Sequence, residues 1–210
     1  MDTIHHRCLE FIGSKVQELI LHGVSVHLTN KIVINNKYSG TFDVARKSLT
    51  VAMGQGSFSV YTFLHEYAHF IQYRDKTELW NYLHTEGTYK YINWLNRDIV
   101  LSKPEIELAF RNTLALEHDA ETMALSMALT HGLPLDIAAI SRCANNNLLF
   151  YSWTRIRRDW NNGFTGVCDT VLEQQLPAVL QPLDYFTDMK NTKNIFKKAG
   201  VRIGQHTRYY

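Results

Sequence analysis

The chain has few of the residues that mark several common protein classes. Of its 210 residues only three are cysteines, Cys8, Cys143 and Cys168, odd in number and widely spaced. That pattern argues against a disulfide framework or a cysteine-built zinc site and predicts reduced thiols in a cytoplasm. Four prolines and eleven glycines are scattered along the chain, with no repeat, low-complexity tract or clear linker. No apolar run is long enough to span a bilayer. The start, Met1-Asp2-Thr3-Ile4-His5-His6, lacks the charged region and apolar core of a signal peptide, so a cytoplasmic protein without membrane attachment is expected. Charge is nearly balanced, 22 basic against 20 acidic residues and a net +2, which singles out no partner.

What is present suffices for a sizeable core. An apolar content of 45% over this length predicts one compact domain over residues 1–210. Its core is expected at about 24–131, followed by a helical region over 134–210. Residues 3–22 carry apolar side chains at helical spacing (Ile4, Cys8, Phe11, Ile12, Val16, Leu19, Ile20) and stop near Gly23. Short β-like runs follow at 24–30, 31–36, 41–45 and 47–53. In the last of these Leu49, Val51 and Met53 alternate with Ser48, Thr50 and Ala52, as in a strand buried on one face. The expected fold is α+β: mostly helical, with a small antiparallel sheet.

The chemistry concentrates in His65-Glu66-Tyr67-Ala68-His69. Positions i and i+4 of a helix lie on one face, so two imidazoles one turn apart can grip a single ion. Glu66, about 100° round the helix, can reach a water on that ion without becoming a ligand. The flanks support a helix. Val60, Phe63, Leu64, Tyr67, Phe70 and Ile71 form one apolar arc, and Thr62, His65, Glu66, His69 and Gln72 fall opposite. The residues before it, Gly54-Gln55-Gly56-Ser57, read as a turn. The preceding strand is expected as an open edge to which an extended peptide could add.

A zinc used for hydrolysis normally takes a third protein ligand and a water. A second helix is expected from Ser102-Lys103-Pro104-Glu105, a capping box with proline in its first turn, to Gly132 and Pro134. Leu116, Ala120, Met123 and Met127 mark its apolar stripe, with Glu117 and Glu121 one turn apart on a neighbouring face. His65-Glu66-x-x-His69 followed by Glu117-His118-Asp119-Ala120-Glu121-Thr122-Met123-Ala124 resembles the ImmA/IrrE-type metallopeptidases and, more distantly, SprT-like minimal metallopeptidases. The likeness runs over residues 47–129. It implies a zincin-like core in which Zn2+ is held by His65, His69 and Glu117. It also implies that Glu66 serves as general base and that Glu121 supports a zinc-binding imidazole from behind. It further implies a protein or peptide substrate, limited cleavage of a regulatory protein, and a phage or mobile-element setting. His118, Asp119 and Glu121 remain alternative third ligands. If His118 or Asp119 joined Glu117, the site would be closed and the protein a non-catalytic binding module.

The remaining segments point less sharply. Residues 77–101 are aromatic-rich and largely helical in pattern, with Gly87 as a break. They read as added core, with a cleft wall as the alternative. Residues 135–158 faintly resemble a helix-turn-helix, with Arg155, Arg157 and Arg158 as phosphate contacts. The absence of a turn glycine and the shortness of the basic cluster favour a helical hairpin and make nucleic acid an unexpected partner. No motif assigns the group that stabilises an oxyanion, for which Tyr151 and His131 are available. The basic tail, 191–210, is expected to fray.

Overall fold

Glycines and an αL residue set the limits of the first elements. Helix α1 (His6–Leu21) ends where Gly23 takes φ +74°, a conformation open to glycine at little cost. Strand β1 (Ser25–Thr29) follows at once. Strands β2 (Gly40–Asp43) and β3 (Ser48–Ala52) form a hairpin whose turn places Lys47 at φ 46° and lets Asp43 Oδ1 accept from Arg46 N at 3.0 Å. This computed structural model describes residues 4–34, 38–83, 86–158 and 170–200. Cys168 and the end of the basic tail lie outside them.

Two expectations about the sheet need correction. The sheet is mixed, not antiparallel: β1 pairs parallel to β3, and β2 pairs antiparallel to it. Its order is β1-β3-β2, so the strand preceding the metal-motif helix is central and β1 and β2 are the edges. Leu49 and Val51 of β3 are accordingly fully buried, as befits a strand with neighbours on both sides. Residues 31–34 form no strand. Their backbone holds the approach to the next helix instead. Lys31 O accepts from Gly54 N at 2.7 Å, and Ile32 O accepts from Gln55 Nε2 at 2.7 Å. A Cβ at Gly54 would stand 2.6 Å from Lys31 O, so only glycine fits.

Helix α2 (Ser57–Asp75) starts after Gly56, at φ 61°. Short helices α3 (Glu78–Asn81) and α4 (Thr88–Leu95) occupy the aromatic-rich segment, with Gly87 between them. Helix α5 (Lys103–Thr130) opens with the expected capping box, in which Glu105 Oε2 accepts from both Ser102 N (2.8 Å) and Ser102 Oγ (2.7 Å). It closes with Leu133 N donating to Ala128 O at 2.9 Å past Gly132 at φ 54°. Residues 137–157 are one unbroken helix, α6 (Ile137–Arg157), and neither a hairpin nor a helix-turn-helix. No glycine or proline interrupts those residues, so nothing stops propagation. Helices α7 (Thr170–Gln175), α8 (Leu183–Thr187) and α9 (Met189–Lys198) complete the described chain. The fold is thus α+β and mostly helical. Among the described residues no helix is long and apolar enough to cross a membrane.

The chain divides into two compact units, Met1–Thr77 with Asp119–Ile140, and Glu78–His118 with Ser141–Tyr210. In the first, α1 and α2 pack with the sheet around Ile12, Leu19, Leu49, Val51, Val60, Phe63, Leu64 and Phe70. On α5 the buried stripe of this unit is Ala120, Ala124 and Ala128, whereas Met123 and Met127 are only half-buried. The second unit has an aromatic core of Tyr91, Trp94, Phe110, Trp153, Phe186 and Phe196, so the aromatic-rich segment supplies core here. The arginines at the end of α6 and just past it are engaged within this unit. Arg155 pairs with Glu107 and lies over Phe110, Arg157 lies over Trp153, and Arg158 lies over Trp94.

Candidate metal centre

Helix α2 presents its histidines as their spacing requires. The rings of His65 and His69 stand 4.7 Å apart between centroids and nearly perpendicular, at 88°. The arc opposite the apolar one is not a solvent face, however. Gln72 is fully buried and Glu66 is 7% exposed, while both imidazoles are half-buried.

Acids from α5 approach this arc. The stretch Asp119-Ala120-Glu121 explains how. Consecutive helical residues are about 100° apart, so a small, buried alanine sits at the centre with one carboxylate on either side. On one side, Glu121 (1% exposed) places Oε1 3.4 Å from His65 Nδ1 and accepts a short hydrogen bond from the Tyr61 hydroxyl on Oε2. On the other side, Asp119 Oδ2 accepts from Gln72 Nε2 at 2.8 Å, and Gln72 Oε1 meets His69 Nδ1 at 2.8 Å. Each Nδ1 thus faces an oxygen. A ring that donates from Nδ1 keeps its lone pair on Nε2, the nitrogen through which it would hold a metal.

Glu117 lies one turn before Glu121 on the same unbroken helix. One ligand atom from each of His65, His69 and Glu117 falls within 4.8 Å of the others. Nitrogen and oxygen ligands round a tetrahedral zinc stand about 3.4 Å apart, so modest side-chain rotation closes the set. The donor chemistry fits a divalent ion of zinc type, with two imidazoles and one carboxylate. The alternative ligands have other partners. His118 Nε2 lies 2.8 Å from Gln181 O and its ring packs near Phe186, and Asp119 is bonded to Gln72.

Glu66 is pressed by the sheet. A Cβ at Gly40, the first residue of β2, would stand 2.6 Å from Thr62 Cγ2, 2.8 Å from Glu66 Cγ and 2.9 Å from Glu66 Oε1. Only glycine therefore lets this edge strand meet the carboxylate-bearing side of α2. Of the residues considered for an oxyanion contact, Tyr151 accepts from the Tyr91 hydroxyl through its backbone carbonyl oxygen at 3.2 Å, and the His131 ring packs 4.7 Å from Phe11.

Three contributors were not singled out from sequence. Tyr61 is one turn before His65, and Gln72 is three residues after His69, so helical spacing put both within reach. Gly40 left no local signal, because its partner is 26 residues away. Helix α1 braces α2 at its far end, where Glu18 Oε1 accepts from Arg74 Nη1 at 2.8 Å and Glu18 Oε2 from Lys15 Nζ at 3.0 Å. Burial pulls the Glu18 carboxyl up, but the Tyr67 hydroxyl and the two cations outweigh it and hold it below the ordinary glutamate range. Compared with known protein families, curated proteins and solved structures, the chain finds no match in any of the three.

Proposed function

We propose that this protein is a zinc-dependent peptidase. The observation that carries the reading is the convergence of His65, His69 and Glu117, with Glu66 beside the first histidine. These three side chains would hold the ion. When bound, zinc supplies Lewis acidity, which lowers the pKa of a water towards neutrality and polarises a peptide carbonyl. Glu66 takes the proton of the attacking water on its carboxylate and passes it to the leaving amine. Its near-complete burial keeps bulk water from competing for that proton. Because His118 and Asp119 are engaged elsewhere, three protein ligands rather than four are available. Three ligands and an open position are the pattern of catalytic zinc, and this supports an enzyme over a closed structural site.

A substrate would lie extended along the β2 edge, adding a strand by backbone hydrogen bonds. Gly40 sets that edge against Glu66. The resemblance to ImmA/IrrE-type metallopeptidases supports limited cleavage of a regulatory protein in a cytoplasm, in a phage or mobile-element setting.

The test is zinc analysis and digestion of a peptide mixture, read by mass spectrometry, for wild type, Glu66→Gln and Glu117→Ala. Wild type should bind zinc and cleave. Glu66→Gln should keep the metal and lose about 10²-fold or more in rate. Glu117→Ala should bind zinc more weakly by more than the roughly 100-fold that a supporting residue costs. Undiminished zinc affinity in Glu117→Ala, or undiminished cleavage by Glu66→Gln, would remove the reading.

A further inference from the structure

A glutamine amide has one donating end and one accepting end, and the two are not interchangeable once one is committed. Gln72 is fully buried, so it cannot replace a partner with bulk water. Asp119 Oδ2 takes its Nε2 at 2.8 Å, which turns Oε1 towards His69 Nδ1, also at 2.8 Å. A carbonyl oxygen can only accept. The contact therefore requires the proton on Nδ1 and leaves the lone pair on Nε2.

We propose that Asp119, acting through Gln72, is a positioning residue that sets the tautomer and ring orientation of His69. This rests on the reading of His65, His69 and Glu117 as a metal centre. Asp119 then does at one remove for His69 what Glu121, with Oε1 3.4 Å from Nδ1, is placed to do for His65. The arrangement prepares the His69 ring before any metal arrives, and it makes Asp119 a support of the ligand set, not a member of it. With Asp119 truncated, the acceptor that fixes the direction of the Gln72 amide is lost. Once its NH2 group turns to His69 Nδ1, the ring proton belongs on Nε2, and the ring presents an N–H where a metal needs a lone pair.

Two readouts test this, and only one of them involves metal. The first is the tautomer of His69 in metal-free, 15N-labelled protein, read from proton–nitrogen correlations at about pH 8.5, where ordinary imidazoles are neutral. The second is zinc affinity by competition with a chromophoric chelator. Wild type should show the proton on Nδ1. Asp119→Ala should move it to Nε2 and weaken zinc binding by about 10–100-fold. Asp119→Asn still offers an oxygen to Gln72 and should keep the wild-type tautomer and affinity. Gln72→Met should lose as much affinity as Asp119→Ala, and the double variant no more than either, since both cut one chain of contacts. Far-UV circular dichroism checks that each variant is folded.

A wild-type His69 protonated on Nε2 would overturn the proposal. So would an Asp119→Ala variant that is folded and keeps both tautomer and affinity, or additive losses in the double variant. The peptidase reading fails separately. If wild type takes zinc but cleaves nothing, or takes no zinc, that reading falls while the tautomer still decides the role of Asp119. If Glu66→Gln behaves as expected but Asp119→Ala is silent, the relay alone falls.

Discussion

The two units bury polar side chains for different ends. In the first, the buried groups include two carboxylates and an amide, those of Glu66, Glu121 and Gln72, and they are grouped around a histidine pair. In the second, the buried polar groups among the described residues are neutral, and several of them bond the backbone. Asn145 donates to Pro177 O and Val179 O and accepts from Gln181 N, each at 2.9 Å. Ser152 Oγ donates to Phe186 O at 2.8 Å, and Thr192 Oγ1 to the same oxygen at 3.4 Å. A neutral amide or hydroxyl satisfied by carbonyl oxygens is an inexpensive way to pin a loop. A buried carboxylate is costly to desolvate and needs specific donors around it. That cost gives the first unit no advantage in stability over an apolar core, which supports the proposal that its polar cluster serves chemistry.

This contrast can be broken by substitutions that separate folding from metal binding. The largest folding effect is expected from Phe110→Ala in the aromatic core, about 3–5 kcal/mol, measured by urea denaturation. The imidazole tautomers of the folded protein should stay unchanged. Asn145→Ala should cost about 1–3 kcal/mol by orphaning backbone groups. Faster amide hydrogen exchange at Gln181 would locate the loss there, and unchanged exchange would remove Asn145 from this role. Glu121→Gln keeps an acceptor for Tyr61 but removes the charge beside His65. It should weaken zinc binding by about 10-fold or more while leaving the urea midpoint of metal-free protein nearly in place. A large midpoint shift with unaltered zinc affinity would invert the contrast.

Gly40→Ala probes the approach of the sheet to Glu66. Overpacking of this kind costs about 1–3 kcal/mol, and cleavage should fall further than the fraction folded, since the clash is with Glu66 itself. The smallest effect concerns acid. Glu18 is held below its ordinary range in the folded protein. Its contribution is therefore complete above the unfolded value near 4.5 and is lost as pH falls through the lower folded value. Glu18→Gln should flatten the acid limb of a stability–pH profile by under about 1 kcal/mol and leave the neutral region alone.

The parts of the site that were legible in the sequence are those governed by spacing along one helix. His65 and His69 share a face because 3.6 residues make a turn, and the Ser102–Glu105 cap is readable because its partners are three residues apart. Gly23 and Gly132 were readable as helix stops for the same reason. The apolar arc of this helix and the arc bearing Glu66 and Gln72 could be told apart in the sequence, but the burial of the second arc could not. Helical periodicity tells which residues share a face but not whether a second element covers that face. The single helix α6 was obscured by a weak likeness to a two-helix motif, although the lack of a breaker over 137–157 was visible.

The order of chain letters determined local things by itself. It set where helices start and stop, the placement of two imidazoles on one side of α2, and the presence of carboxylates at neighbouring turns of α5, all fixed by backbone geometry over a few residues. Only the folded chain decided that β3 lies between β1 and β2, that Gly40 meets Glu66, and that Asp119 holds Gln72 while Glu121 faces His65. β1 meets β3 across 23 positions, and the contacts of Gly40 with Glu66, Gln72 with Asp119 and His65 with Glu121 join residues 26, 47 and 56 apart. Such pairings are selected by the packing of whole elements around small residues such as Ala120, and short-range propensity carries no record of them.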